Sequence, residues 1–363
     1  MRRFEADNSR FLVDFAALEI GAYIDRGGTS VVYAGRYRGE PVAIKMFRPE
    51  RIDEHCIAFF AKENAVSAAL QHASILRYHG LCVSPPHISL VFELCERGSL
   101  WNLVETLIVK NENDEFDRAN GLGAYAPSAA APRGRGGGGG YGTATAVATA
   151  PAAAAAAAPS GPRFSLSWAR RLRMARDGAA ALAYLHSFNP PYLHRDVKSQ
   201  NFLVTSGFRL KLSDFGESRA RARAGDGGRA PPPMTGEIGT THWMAPEMFS
   251  SDGDYSEAVD VYGFGIVLWE LASERHPYEE LSEYQICHAV SVKGLRPRVP
   301  ANCPPPFAKL MMACWQGNPA KRPKAQQVVD ALDEMLDALA ADKRRGAAPG
   351  APAGAPRLPA GPA

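Results

Sequence analysis

No C-x-x-C pair and no zinc-like spacing occurs among the six cysteines of this chain, Cys56, Cys82, Cys95, Cys287, Cys303 and Cys314. That argues against a metal- or disulfide-stapled scaffold and reads as free thiols of a reduced compartment. Long apolar runs are missing too. Every stretch falls well short of the ~20 residues a membrane span needs, so none is expected. Residues 1–10 lack the apolar core of a secretory signal, and a soluble cytoplasmic protein is the expectation. An excess of one charge is also absent: 41 Lys and Arg against 38 Asp and Glu leave a net +3. No nucleic-acid partner is expected from that balance. What the chain does have is apolar bulk, 46% of 363 residues. That suffices for a core of about 250–300 residues or two small domains.

Two regions depart from the rest. Residues 111–162 turn, after a charged start, to Gly, Ala and Pro, with glycines at 136–140 and alanines at 152–158. Such a segment cannot bury enough apolar surface to offset chain entropy and reads as a disordered insertion. Residues 340–363 read as a low-complexity tail, of the same composition from about 345 onward. Elsewhere, residues 23–33 and 41–47 alternate around a glycine-bearing turn, predicting antiparallel strands. Residues 51–71 have helical spacing, and 88–92 read as a short buried strand. Residues 168–186 predict a helix with Leu172, Ala175, Ala179, Leu182 and Leu185 on one face and Arg170, Arg171 and Arg173 largely off it. Residues 260–272 are almost wholly apolar, as in a helix buried all round. Strands first and helices after predict an α+β fold with two lobes.

The chemistry concentrates in two segments. His194-Arg195-Asp196-Val197-Lys198-Ser199-Gln200-Asn201 puts a carboxylate, an ammonium group and an amide oxygen within six residues. Asp214-Phe215-Gly216 adds a second carboxylate eighteen positions beyond Asp196. Phosphoryl transfer needs that inventory: a base to orient a hydroxyl, a cation against the moving charge, and oxygen ligands for Mg²⁺. With these motifs the chain resembles the eukaryotic protein kinases over residues 18–339, interrupted by the insertion. The resemblance implies a β-rich N-lobe (18–95) and a mainly α-helical C-lobe (96–339), preceded by an extension (1–17). It implies ATP and Mg²⁺ as cofactors and a protein as substrate. On it, Asp196 is the base, Lys198 reaches the γ-phosphoryl group, Asn201 and Asp214 ligate Mg²⁺, and His194 packs beneath Phe215.

The same resemblance assigns the nucleotide site. Ile24, Asp25, Arg26, Gly27, Gly28, Thr29, Ser30, Val31 and Val32 occupy the place of the glycine-rich loop, which needs small residues so that backbone N–H groups approach phosphates. Asp25, Gly27 and Ser30 fall at its three glycine positions, so only one of them is kept. Thirteen residues after Val32, Lys45 ends Val42-Ala43-Ile44-Lys45 and pairs with the phosphates, held by Glu63. Phe92 is a bulky gatekeeper, and Glu93 and Cys95 present backbone groups to adenine. Ile24, Val32, Ala43 and Leu203 sandwich the base. Ser67 stands where the family usually has a large apolar residue.

Glu247, in Trp243-Met244-Ala245-Pro246-Glu247, resembles the family glutamate paired with a distant arginine, here Arg322. Asp260 bonds the catalytic-loop backbone. Lys198 and Gly239-Thr240 resemble serine/threonine kinases. With Val261-Tyr262-Gly263-Phe264-Gly265 and Cys314-Trp315 they resemble the tyrosine-kinase-like group. Arg195 implies an unpaired guanidinium beside the base, awaiting a phosphate on Thr235 or, after it, Thr241 or Ser218. The alternative class is a catalytically weak, pseudokinase-like scaffold, suggested by Asp25, Ser30 and Ser67. Against it stand Lys45, Glu63, Asp196, Lys198, Asn201 and Asp214, none of which is substituted.

Overall fold

The structure is a computed structural model that describes residues 11–26, 30–47, 54–84, 87–119, 165–220, 240–249 and 256–346. Its first half is one antiparallel sheet of β1 (Leu18–Arg26), β2 (Ser30–Tyr37), β3 (Glu40–Phe47), β4 (Tyr78–Ser84) and β5 (His87–Glu93), in the order β1-β2-β3-β5-β4. Helix α1 (Glu54–Ala69) crosses between β3 and β4. Because side chains alternate along a strand, β3 divides its residues between two faces. Val42 and Ile44 join Val13, Leu18, Cys82 and Val91 in one buried cluster. Phe47, on the other face, meets Phe60 of α1 edge-to-face at 5.1 Å and shares a cluster with Leu76, Leu81, Leu90 and Phe92. Each fully buried Leu or Phe contributes roughly 1.5–3 kcal/mol, so the alternation settles which face carries Lys45.

The remainder is mainly helical: α2 (Leu100–Ala119), α3 (Trp168–His186), α4 (Ala258–Ser273), α5 (Glu283–Ser291), α6 (Pro305–Cys314) and α7 (Ala325–Gly346). Short pairs β6 (Tyr192–Leu193) with β9 (Arg219–Ala220), and β7 (Phe202–Val204) with β8 (Leu210–Leu212), frame the catalytic segments. Helix α3 has the bounds its periodicity predicts, and α4 is buried on all sides.

Three expectations are corrected. Helix α2 runs to Ala119, so 111–119 are helical and not part of a structureless insertion. Propagating a formed helix adds one hydrogen bond per residue, and the breaker-rich composition begins only at Asn120-Gly121. Residues 120–164 lie outside the described residues, and Thr106–Ser165 form a unit of their own. Helix α7 likewise continues through 340–346, with Lys343, Arg344 and Arg345 in its last turn, where cations suit the helix dipole. Arg171, expected off the apolar face, is buried. It donates to the carbonyls of Leu166 (2.8 Å), Leu271 (3.0 Å) and Ala272 (2.5 Å) and pairs with Glu274 at 2.8 Å. The last carbonyls of α4 have no intrahelical donor, and the guanidinium supplies it.

Candidate active site

Strand β3 and helix α1 each deliver one charge to the cleft. Lys45 Nζ donates to Glu63 Oε1 at 2.7 Å and Oε2 at 2.9 Å, and stands 3.8 Å from Asp214 Oδ1. Glu63 is buried, and burial raises its carboxyl above the usual range; Lys45 opposes that shift and Asp214 adds to it. Next to it, Lys62 donates to the Gly216 carbonyl at 2.7 Å, a second tie between α1 and the Asp214 segment that the sequence reading did not include. Ser67 is 4% exposed and its hydroxyl has no hydrogen-bond partner among the described residues. The expected polar substitution therefore faces the interior.

The catalytic loop is hung from α4. Asp260, fully buried, accepts from the backbone N–H of His194 and of Arg195, each at 2.8 Å, and bonds His186 Nε2 at 2.9 Å. Burial pushes its carboxyl up, but the His186 bond and charge, His194 and the Arg195 amide outweigh it and hold the group low. Arg195 (φ +70°) and Asp214 (φ +60°) both sit in the left-handed region. Strain there costs about 1–3 kcal/mol per residue and persists only where surrounding bonds over-determine it. His194 packs edge-to-face on Phe215 at 5.4 Å and bonds the Ser213 carbonyl at 3.0 Å, the structural place expected of it.

Four polar residues then converge. Asp196 Oδ2 takes Lys198 Nζ at 2.8 Å and Asn201 Nδ2 at 2.9 Å, while Asn201 Nδ2 also donates to the Asp196 carbonyl at 2.8 Å. Asp196 Oδ1 has no hydrogen-bond partner among the described residues. It is buried, an acceptor whose hydrogen bond is still to be made. Both protons of the Asn201 amide go to Asp196, which leaves Oδ1 of Asn201 as an acceptor. Desolvation raises the Asp214 carboxyl, but Lys45, His194, Lys198 and the Gly216 amide outweigh it, so the group is held low and ionised. Among the described residues no group of three or more His, Cys, Asp and Glu is placed to hold a metal ion. A carboxylate and an amide oxygen fit Mg²⁺, which keeps waters and substrate phosphates as its other ligands.

The residues expected at the adenine fall along β1, β2, β3, β5 and β7, with Cys95 just beyond β5. Val32 pairs with Lys45 across β2–β3, and Ala43 pairs with Phe92 across β3–β5. Phe92 is buried and tilts onto Tyr78 at 5.4 Å. The Cys95 carbonyl accepts from Gly98 N–H at 3.2 Å, and Glu93 pairs with Lys211 at 2.7 Å. Leu203 lies on β7, and Ile24 is 41% exposed at the end of β1. Gly27, Gly28 and Thr29 lie outside the described residues; Ser30 and Val31 open β2. Asp25 Oδ1 accepts from the Arg26 backbone N–H at 2.7 Å. Its carboxylate therefore occupies an amide of the segment that should serve phosphate. Asp25→Gly is expected to lower the ATP KM about tenfold, the equivalent of ~1.4 kcal/mol. A KM within twofold of the parent would place that carboxylate outside the phosphate site.

Gly263 of α4 explains how the loop approaches so closely. A Cβ there would stand 2.7 Å from the Val197 carbonyl oxygen and 3.2 Å from the Val197 Cβ. Gly263→Ala is expected to shift Asp196 and Lys198 and to lower kcat about 100-fold, as ångström-scale misplacement does. An unaltered kcat would mean the loop yields without moving its chemistry. Farther off, Arg322 grips Glu247 with Nη1 and Nη2 at 2.6 and 2.8 Å, as expected of that pair.

Two expectations about the following segment are corrected. Arg195 is not unpaired: its Nη1 donates to the Glu217 carbonyl at 3.5 Å. Ser218 is 1% exposed and its hydroxyl is buried, so it offers no accessible acceptor; its N–H bonds the Phe215 carbonyl at 3.1 Å. Thr235 lies outside the described residues, and Thr241 is half-buried. The sequence reading also missed Glu270. It is fully buried in α4 and bonded to Ser199 and Trp243. A second carboxylate, after Asp260, inside an otherwise apolar helix was the available signal.

The fold and this cleft define a protein kinase domain. A family model described as protein tyrosine and serine/threonine kinase matches residues 18–332, and the chain belongs to that family. Among similar proteins, the probable serine/threonine-protein kinase drkA of Dictyostelium discoideum is 29% identical over 323 residues, covering 89% of this chain and 40% of its own length. Serine/threonine-protein kinase CTR1 of Arabidopsis thaliana is 30% identical over 340 residues, covering 92% of this chain and 34% of its own. Dictyostelium drkC is 31% identical over 324 residues, 89% of this chain and 35% of its own. The chain thus spans less than half the length of these relatives. The resemblance to the tyrosine-kinase-like group holds. No helix among the described residues is long and apolar enough to cross a membrane.

Proposed function

We propose that this chain transfers the γ-phosphoryl group of ATP to serine and threonine hydroxyls of protein substrates, in cytoplasmic signalling. The observation that carries the reading is Asp196. Its Oδ2 is held by Lys198 and Asn201, while its Oδ1 is a buried acceptor with no partner among the described residues, which a substrate hydroxyl would satisfy. Asp196 orients that hydroxyl and takes its proton as the oxygen attacks. Lys198 and Lys45 offset charge on the phosphates. Asp214 and the Asn201 amide oxygen would hold Mg²⁺, which when bound neutralises the developing charge. Glu63 keeps Lys45 aimed, and His194 and Asp260 hold the loop. The names of the relatives, all serine/threonine-protein kinases, support Ser and Thr as acceptors, as does Lys198. Phosphorylation of Thr235 or Thr241 would add a charge able to order the neighbouring segment. Incubation with labelled ATP, Mg²⁺ and a generic protein substrate tests the reading. Label on serine or threonine is expected; label on tyrosine alone, or none, would overturn it.

A further inference from the structure

Two guanidinium groups meet on one aromatic ring at the turn between β7 and β8, outside the residues assigned to the cleft. The turn is closed by its own bonds: Phe208 N–H to the Thr205 carbonyl at 2.9 Å, Thr205 N–H to the Arg209 carbonyl at 3.0 Å, and Arg209 N–H to Thr205 Oγ1 at 3.1 Å. It holds Phe208 at φ +57°, in the left-handed region, where a bulky side chain is rare. Over the Phe208 ring stand Arg97 Cζ at 3.8 Å, from the chain just after β5, and Arg170 Cζ at 3.9 Å, from the first turn of α3.

The partners of these groups leave positive charge over. Arg97 donates Nε to the Ser206 carbonyl at 3.1 Å. The Arg170 side chain has no hydrogen bond or ion pair among the described residues. The carboxylates nearby are engaged elsewhere: Glu96 accepts from Ser206 N–H at 2.7 Å, and both Asp177 oxygens are gripped by Arg209 at 2.6 Å. Arg173, three residues on along α3 and hence on the neighbouring surface, is exposed and adds a further cation. Stacking occupies the flat face of a guanidinium, while its N–H donors lie in the plane and stay available at the edge. It also fixes that plane in advance, so less side-chain freedom is lost when a ligand binds. Two like charges gathered on one ring repel each other, and an anion at their edges relieves the repulsion.

We propose that Arg97, Phe208 and Arg170 form a recognition surface for a phosphorylated segment of a protein partner. The phosphate monoester is taken by the N–H edges of the two stacked guanidiniums, with Arg173 adding attraction. A phosphate matches this better than a carboxylate, because it brings nearly twice the charge and three acceptor oxygens to share between two planar forks. Phosphorylated proteins are also the product class of the reaction proposed above, so the surface suits a partner that has already received a phosphoryl group. The surface lies outside that reaction, and its binding is measured without ATP.

The test uses the full chain and a fluorescent peptide carrying one phosphothreonine, beside its unphosphorylated and glutamate-substituted forms. Anisotropy titrations are expected to show the phosphopeptide binding about tenfold more tightly than either control. Arg97→Gln and Arg170→Gln should each weaken it about fivefold, and Phe208→Leu, which keeps both charges and loses the stack, about threefold. Thermal midpoints within about 2 °C of the parent assign these losses to binding. If Phe208→Leu does not fold, the double variant Arg97→Lys with Arg170→Lys decides: it keeps the charge and loses the planar forks, and should bind as weakly as Phe208→Leu is expected to. Three peptides binding alike overturn the proposal, as does undiminished phosphopeptide binding by the Arg97→Gln and Arg170→Gln variants. Phosphatidylserine vesicles or single-stranded RNA that bind through these arginines where the phosphopeptide does not would also overturn it, in favour of a membrane or nucleic-acid surface.

Discussion

Asp196→Asn is expected to lower kcat by roughly 10³-fold, within the range general-base catalysis contributes, while the Kd of Mg·ATP stays within about twofold. The geometry makes this substitution unusually clean. The asparagine oxygen can take the place of Oδ2 and keep Lys198 at 2.8 Å and the Asn201 amide at 2.9 Å. Its NH₂ then replaces Oδ1, the atom with no partner among the described residues. A donor thus stands where the hydroxyl proton must be accepted. Backbone support is untouched, because Asp260 holds His194 and Arg195 through their own N–H groups. The thermal midpoint should therefore barely move. Single-turnover transfer with nucleotide binding measured in parallel checks this. A variant retaining a tenth of the parent rate would remove Asp196 from the base role.

Arg322→Met should cost about 3–5 kcal/mol of stability, the usual result of breaking a buried ion pair from one side. For a body of this size that lowers the midpoint by roughly 10 °C. The Arg322 side chain is 0% exposed. Besides Glu247, its guanidinium serves the carbonyls of Gln316 at 2.8 Å, Ala258 at 2.9 Å and Gly317 at 3.5 Å, and stacks over Tyr262 at 5.0 Å. Removing it takes a donor from several acceptors at once. Glu247→Gln leaves those carbonyl bonds in place and should cost less. Calorimetry on both variants and the double mutant separates the pair from the carbonyl bonds. Equal losses for the two single variants would show that the ion pair alone matters.

Much of the fold was legible because its elements obey local rules. The period of α3 over 168–186, the alternation in β3 and the apolar run of α4 each follow from side-chain spacing that burial rewards one element at a time. Boundaries were less so. Helix α2 continued to Ala119 and α7 to Gly346, where composition had suggested disorder, since extending a helix already nucleated needs little favourable burial.

The candidate site divides along similar lines. Asp196, Lys198, Asn201 and Asp214 lie within two short segments, and their chemistry was readable from residue type and order alone. So were Lys45 and Glu63, whose meeting at 2.7 Å needs only a strand end and one face of the following helix. Arg195, Ser218 and Arg171 were misread because a partner's position is not a property of the local chain. The Glu217 carbonyl beside Arg195, the burial of Ser218 and the meeting of Arg171 with the carbonyls at the end of α4 arise only after segments pack. Lys62 and Glu270 went unnoticed for the same reason: nothing near either in sequence names Gly216, Ser199 or Trp243. Sequence by itself determined the family and the set of polar groups that the two short segments carry, because those depend on which functional groups the chain has and in what order. Tertiary structure decided which of them are held, closed off or left open, because burial and hydrogen-bond satisfaction are settled only between segments far apart along the chain.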